Sequence, residues 1–312
     1  MRQTGVCQKY FYLETPKLFK MDQLSAIILA ASLTIIMLGM GLSLVVADFK
    51  RIFVHPKAII VGLTNQLIVL PLIGFAVAIA FPLRPEVAVG IMILAACPGG
   101  PTSNLIAHLA KGDTALSVTL TSLSSFVTIL TIPFIVNFAL VYFLDEGQVV
   151  QLDVLQTIMQ IFVIIVIPVT IGMVIRHYKS GFANKMAKPV RIASGIVMAL
   201  VIIGLFIKER ENFIPYFKDS GVASLTLNIV TMALGFLSAR LLKTGIKGAI
   251  SISIESGIQN GTLAITIAVV LLNNSEFAIA PAIYSLLMFF TGGAVIYLAL
   301  RWQKKLANLK SE

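Results

Sequence analysis

From Leu24 to Leu300, apolar runs long enough to cross a bilayer follow one another with short polar connections between them. About 20 such residues in an α-helix span the roughly 30 Å of a hydrocarbon core. In that medium the backbone polar groups must bond internally, which leaves helices or a closed barrel. A barrel would show alternating segments of about ten residues, and the chain lacks that pattern. It is therefore read as an all-α polytopic membrane protein. Only 12% of its residues are charged, against about 25% in soluble proteins.

Nine transmembrane spans are expected, over residues 24–47, 58–81, 87–110, 114–143, 155–175, 192–207, 222–242, 249–272 and 277–300. The connections are too short for a soluble module, so residues 1–312 form a single membrane domain. The net charge of +10 is assigned to basic cytoplasmic loops and not to a nucleic-acid partner. Lys50, Arg51, Lys57, Lys111, the stretch from Arg176 to Arg191, the turn from Arg240 to Lys247 and the tail from Arg301 onward share one side. That side is expected to be cytoplasmic, with the C-terminus on it and the N-terminus external. The basic segment 1–20 sits badly outside and lacks the apolar core of a signal peptide. Translation starting at Met21 is the expectation that reconciles it. Cys7 and Cys97 suggest neither a disulfide framework nor a zinc site. His55, His108 and His177 lie near span ends and form no ligand group.

Two spans carry breakers. In the third, Pro98, Gly99, Gly100 and Pro101 lie near the middle and are followed by Thr102, Ser103 and Asn104. Proline removes a backbone donor and clashes with the preceding turn, and glycine loosens the chain further. Non-helical backbone at membrane depth survives only inside protein or beside a wet cavity. The eighth span echoes this with "ESGIQNG", a polar stretch containing Gly257 and ending at Asn260 and Gly261. The triplets 58–143 and 222–300 run in opposite senses, each with its broken span in the middle. That is the pattern of an inverted-topology repeat whose discontinuous helices meet at the midplane around a substrate and ion site.

Glu255 lies inside the eighth span. A charge at the bilayer centre costs at least about 2.5–3.5 kcal/mol, and no Lys or Arg is expected in any span interior to pair with it. Either a proton or a bound cation must neutralise it. Nearby oxygens favour a cation: Ser256, Gln259 and freed carbonyls on one broken helix, Ser103 and Asn104 on the other. Ser117 and Thr121, four residues apart, share a helix face and would complete an oxygen cage. Gln66, with Asn65 beside it, is a further intramembrane amide.

"CPGGPTSN", then "ALSVTLTS", then "SIESGIQNG" closely resemble the bile acid:sodium symporter family, over nearly the whole stretch from Leu24 to Arg301. The resemblance implies a core subdomain, 58–143 and 222–300, and a smaller panel subdomain, 24–47 and 155–207. It implies two sodium sites: Ser103, Asn104, Ser117, Thr121 and Glu255 at the first, and Gln66, Glu255, Gln259 and the carbonyls of Ser256 and Ile258 at the second. Asn104 and Asn260 are expected near the substrate. That substrate would be an organic anion, bile-acid-like or a smaller carboxylate such as pantoate. Many bacterial members carry an extra first panel helix; with no apolar segment before Leu24, this chain is more similar to nine-span animal members.

The function expected is sodium-coupled symport of an organic anion across a plasma membrane, the inner one in a bacterium. The alternative is proton coupling with Glu255 as the titrating group. An intramembrane enzyme is disfavoured, because no HExxH motif and no intramembrane Asp occur. No obligate protein partner is evident. The substrate cannot be read, because no basic residue in a span would clamp a carboxylate.

Overall fold

The computed structural model describes residues 31, 33–39, 41–42, 56–144, 154–208 and 213–311. Among them the regular elements are helical, and the one approach to sheet is an antiparallel bridge between Gly99 and Gln259. The expected span 24–47 lies largely outside the described residues, and the tail 1–20 and Met21 lie wholly outside.

Four helices among the described residues are long and apolar enough to cross a membrane: Pro56–Ala80, Thr114–Phe143, Ser220–Leu241 and Glu276–Lys305. The third and eighth expected spans are each a pair of half-helices. These are Pro85–Ala96 with Pro101–Leu109, and Ile246–Gly257 with Gly261–Leu271. Residues 154–178 form a further apolar helix, followed by Ser180–Lys208. The start expected at 192 is thus displaced by 12 residues, to Ser180. Lys185, Lys188 and Arg191 are good helix formers, so this helix outlasts its apolar stretch.

The outer surface is unlike that of a soluble protein. Leu155 is 70% exposed and Phe290 77%, whereas Glu255 and Gln259 are each 1% exposed. Many large apolar side chains face outward, and the interior, though packed with apolar side chains such as Leu70, Ile93 and Phe277, also holds amides, hydroxyls and a carboxylate. An apolar surface of this extent is unstable in water and natural in lipid. The chain is an integral membrane protein.

Local chemistry sets the ends of the elements that build the interior. Pro85 and Pro101 each open a half-helix at its first turn, where a missing N–H costs nothing. Asp113 caps Thr114–Phe143 by accepting the Leu116 N–H at 3.0 Å. Within Pro56–Ala80 the turn Asn65–Val69 widens into a π-helix, its last bond running from Leu70 N–H to Asn65 O. Pro71 follows at once and supplies no N–H, so the regular ladder cannot continue through it. The widened turn buries two neighbouring amides, Asn65 and Gln66, together.

The breaks differ from the sequence reading in detail. Pro101 is the first residue of its half-helix, so the first break comprises Cys97, Pro98, Gly99 and Gly100. Gly257 is the last residue of its half-helix, and the second break is Ile258, Gln259 and Asn260. Gly257 is required by packing: a side chain there would run into Met232.

The two breaks bind each other. Asn260 N–H donates to Pro98 O at 2.9 Å, and Gly100 N–H donates to Ile258 O at 3.3 Å. Backbone groups released by each break are thereby satisfied by the other, as a low-dielectric interior demands. A second tie lies where Pro101–Leu109 ends and Ile246–Gly257 begins. Asp113 N–H donates to Lys247 O at 3.1 Å, and the Ser251 hydroxyl donates to Asp113 O at 2.9 Å.

Candidate functional site

Glu255 sits three residues before the second break and points across the crossing toward the first. Its Oε2 accepts from the Ser103 hydroxyl at 2.7 Å and the Ser117 hydroxyl at 3.2 Å. Its Oε1 accepts from the Thr121 hydroxyl at 2.6 Å. Ser103 stands on the half-helix after the first break, and Ser117 and Thr121 share one face of Thr114–Phe143. Asn104 Oδ1 joins them, accepting from Ser117 at 2.8 Å and Thr121 at 3.2 Å. Gly99 makes room for the carboxylate, since any side chain at that position would collide with Glu255.

Protons are scarce in this cluster. Ser103, Ser117 and Thr121 contribute one hydroxyl proton each. Those protons face five acceptor oxygens: both of Glu255, the amide oxygen of Asn104, and the carbonyls of Gly100 and Ser117. Among the described residues, the hydrogen bonds to the Glu255 carboxylate come from hydroxyls and none from a basic side chain. The arrangement is an oxygen cage with a carboxylate at its centre and more lone pairs than donors. Such a set suits a hard cation. Among the described residues no group of three or more His, Cys, Asp or Glu is placed to hold a metal.

A second polar cluster is built around Gln259 of the second break. Gln66 donates to Gln259 Oε1 at 2.7 Å and to Cys97 O at 3.0 Å. Gln259 turns its own nitrogen toward Ser256 O at 2.9 Å and Glu255 O at 3.3 Å. Gln66 and Gln259, Ser256 and the Glu255 backbone therefore stand together. Ile258 O takes part through its bond from Gly100 N–H.

The remaining predicted residues divide. Asn65 faces away from these clusters and donates to Val61 O and the Ser238 hydroxyl, both at 2.8 Å. Asn260 caps the half-helix Gly261–Leu271, accepting the Leu263 N–H at 3.1 Å.

Sequence reasoning missed Asn228 and Tyr284. Both are fully buried and both bond the Gly257 carbonyl at the second break. Asn228 was within reach of the rule that singled out Gln66, since it too is an amide inside an expected span. Nothing in the sequence around Tyr284 distinguishes it from an aromatic at a membrane interface.

Comparison with known proteins follows the same lines. Residues 30–215 match the model of the Sodium Bile acid symporter family. A Bacillus subtilis (strain 168) protein, "Uncharacterized sodium-dependent transporter YocS", is 31% identical over 281 residues, covering 88% of this chain and 82% of that protein. The "Ileal sodium/bile acid cotransporter" of Homo sapiens is 29% identical over 265 residues, 83% of this chain and 74% of that protein. The Arabidopsis thaliana protein "Probable sodium/metabolite cotransporter BASS1, chloroplastic" is 29% identical over 254 residues; the match covers 81% of this chain but 62% of that longer protein.

Proposed function

The chain belongs to the sodium bile acid symporter family, and from that premise we propose that it couples the inward movement of sodium to import of an organic anion. One observation carries the reading: a buried carboxylate, Glu255, held by three hydroxyls that it shares with the Asn104 amide oxygen, with fewer protons than acceptors. One sodium ion is held by Ser103, Asn104, Ser117, Thr121 and Glu255. A second is held by Gln66, Glu255, Gln259 and the carbonyls of Ser256 and Ile258. To receive it, Gln259 turns its NH2 away from Ser256 O and Glu255 O, because a donor and a cation compete for the same lone pairs.

Binding of the ions links three separate pieces of chain: both broken spans and the Thr114–Phe143 helix. The ordered crossing then presents an anion with the N-terminus of Pro101–Leu109 and the amide of Asn260. Half-helix N-termini carry partial positive charge, which suits a carboxylate in a site without Lys or Arg. The anion is bile-acid-like or a smaller carboxylate such as pantoate; the human relative is named for a bile acid and the plant relative for a metabolite. Movement of a core, 58–143 and 222–300, against a panel, 24–47 and 155–207, carries the site from one face to the other. The basic loops and the C-terminus lie in the cytoplasm and the N-terminus lies outside.

The test is thermal unfolding of the purified protein in sodium chloride and in choline chloride, with Glu255→Ala alongside. Sodium-specific stabilisation that disappears in the variant is the expected result, by binding linkage. Wild-type protein that ignores sodium but responds to pH would instead favour proton coupling through Glu255. An organic-anion uptake screen in proteoliposomes under a sodium gradient would follow the positive result.

A further inference from the structure

The second break is braced from behind. Asn228, on helix Phe213–Leu241, donates its amide nitrogen to the Gly257 carbonyl at 2.7 Å and to the Tyr284 hydroxyl at 3.1 Å. Tyr284, on the last helix, donates its own hydroxyl to the same carbonyl at 2.8 Å. Both side chains are fully buried. The proton balance closes: the amide spends both its protons, the phenol accepts one and passes its own on, and Gly257 O receives two. Asn228 Oδ1 is buried without a hydrogen-bond partner. An asparagine serving as general polar filler would use both ends of its amide. This one acts only as a donor, and its target is a carbonyl at the edge of the break.

We propose that Asn228 and Tyr284 are positioning residues for ion binding, acting through the Gly257 carbonyl on the carbonyl of Ile258. Ile258 has extended backbone, with φ −103° and ψ 94°. In extended chain the carbonyls on either side of a residue point in opposite directions. Drawing Gly257 O toward Asn228 and Tyr284 therefore turns Ile258 O the other way, to the side where it meets Gly100 N–H at 3.3 Å. The brace also saturates both lone pairs of Gly257 O. That withholds this carbonyl from any cation and leaves Ser256 O and Ile258 O as the backbone ligands. The inference rests on the sodium reading of this cluster and adds two residues, from two further helices, that set its geometry without touching the ion.

The experiment titrates sodium against choline at constant ionic strength and follows the thermal unfolding midpoint of the full-length protein in detergent. Tyr284→Phe removes one oxygen and keeps the ring. It is expected to raise the sodium concentration for half-maximal stabilisation roughly fivefold, and Asn228→Leu about tenfold, the scale of one or two lost hydrogen bonds. In choline alone, Tyr284→Phe is expected to melt close to wild type. Asn228→Asp separates positioning from charge. A carboxylate cannot donate to Gly257 O, so sodium binding weakens even though a negative charge has been added nearby. Sodium midpoints equal to wild type in Tyr284→Phe, or tighter sodium binding in Asn228→Asp, would overturn the proposal while leaving the sodium reading intact. Wild-type protein indifferent to sodium would sink both.

Discussion

Ser103 and Glu255 lie 152 residues apart in the chain, yet the serine hydroxyl donates to the glutamate carboxylate at 2.7 Å. This contact joins the two broken spans on their side-chain side, as the bonds between Pro98, Gly100, Ile258 and Asn260 join them on the backbone side. The carboxylate belongs to both halves of the structure. Removing it therefore affects assembly of the crossing as well as its chemistry.

Glu255→Gln keeps the shape of the side chain but removes its charge and exchanges one acceptor oxygen for an NH2 donor. The expected outcome is a folded protein whose unfolding midpoint no longer rises with sodium. At sodium 100 times its Kd, the wild type gains about 2.7 kcal/mol from linkage, and this gain vanishes. Differential scanning fluorimetry in sodium and choline reads it directly. A variant stabilised by sodium as strongly as the wild type would remove Glu255 from the ion site.

The two clusters are separable by mutation. Thr121→Val deletes a hydroxyl that bonds Glu255 Oε1 at 2.6 Å, and Gln66→Leu deletes the partner of Gln259 Oε1 at 2.7 Å. Each is expected to weaken sodium activation of uptake roughly tenfold, the effect of one lost charge-assisted or buried bond. Each is also expected to lower the Hill coefficient for sodium from about two toward one, because one of two coupled ions is then bound poorly. A single ion per cycle would appear as a coefficient near one in the wild type.

Gly99 stands where any side chain would collide with the Glu255 carboxylate. Gly99→Ala forces either the carboxylate or the Gly99–Gln259 bridge to move. Overpacking of this kind costs about 1–3 kcal/mol. The expected result is a lower unfolding temperature in choline and a larger deficit in sodium, since the displaced carboxylate binds the ion poorly. An equal deficit in both salts would mean that the backbone yields and the carboxylate stays in place.

Two sodium ions entering with one monoanion carry one net positive charge inward. A potential of 100 mV then contributes about 2.3 kcal/mol, and two tenfold sodium gradients add roughly 2.8 kcal/mol. The sum, about 5 kcal/mol, sustains accumulation of several thousandfold. Uptake into proteoliposomes on a solid-supported membrane is expected to generate an inward current. Sodium-dependent uptake without current would contradict the stoichiometry.

Much of this architecture was legible in the chain because lipid leaves so few alternatives. The helix Thr114–Phe143 begins and ends where hydropathy placed it, since Asp113 caps it at one side of the membrane and no charged residue interrupts it. The breaks were visible as Pro98 to Gly100 and as the polar stretch after Glu255. Their boundaries shifted because Pro101 and Gly257 resemble breakers in a list of residues but lie at helix ends in space. The neighbouring amides Asn65 and Gln66 looked equivalent, and the π turn separates them. It sends Gln66 to Gln259 and Asn65 to Ser238. Asn228 and Tyr284 were missed for a related reason. Their importance lies in a shared backbone acceptor, and a carbonyl has no signature in sequence.

The bridge between Gly99 and Gln259 has a consequence for how the chain is made. A ribosome delivers the first break well before the second, and until residues 258–260 enter the membrane, Pro98 O and Gly100 N–H lack the partners they have in the finished fold. Until then those groups need other partners, from water or protein, because an unsatisfied backbone group in hydrocarbon is costly. Glu255 enters just ahead of those residues, into a membrane where Ser103, Ser117 and Thr121 are already present to receive it. The most costly residue to insert is synthesised after the hydroxyls that accommodate it.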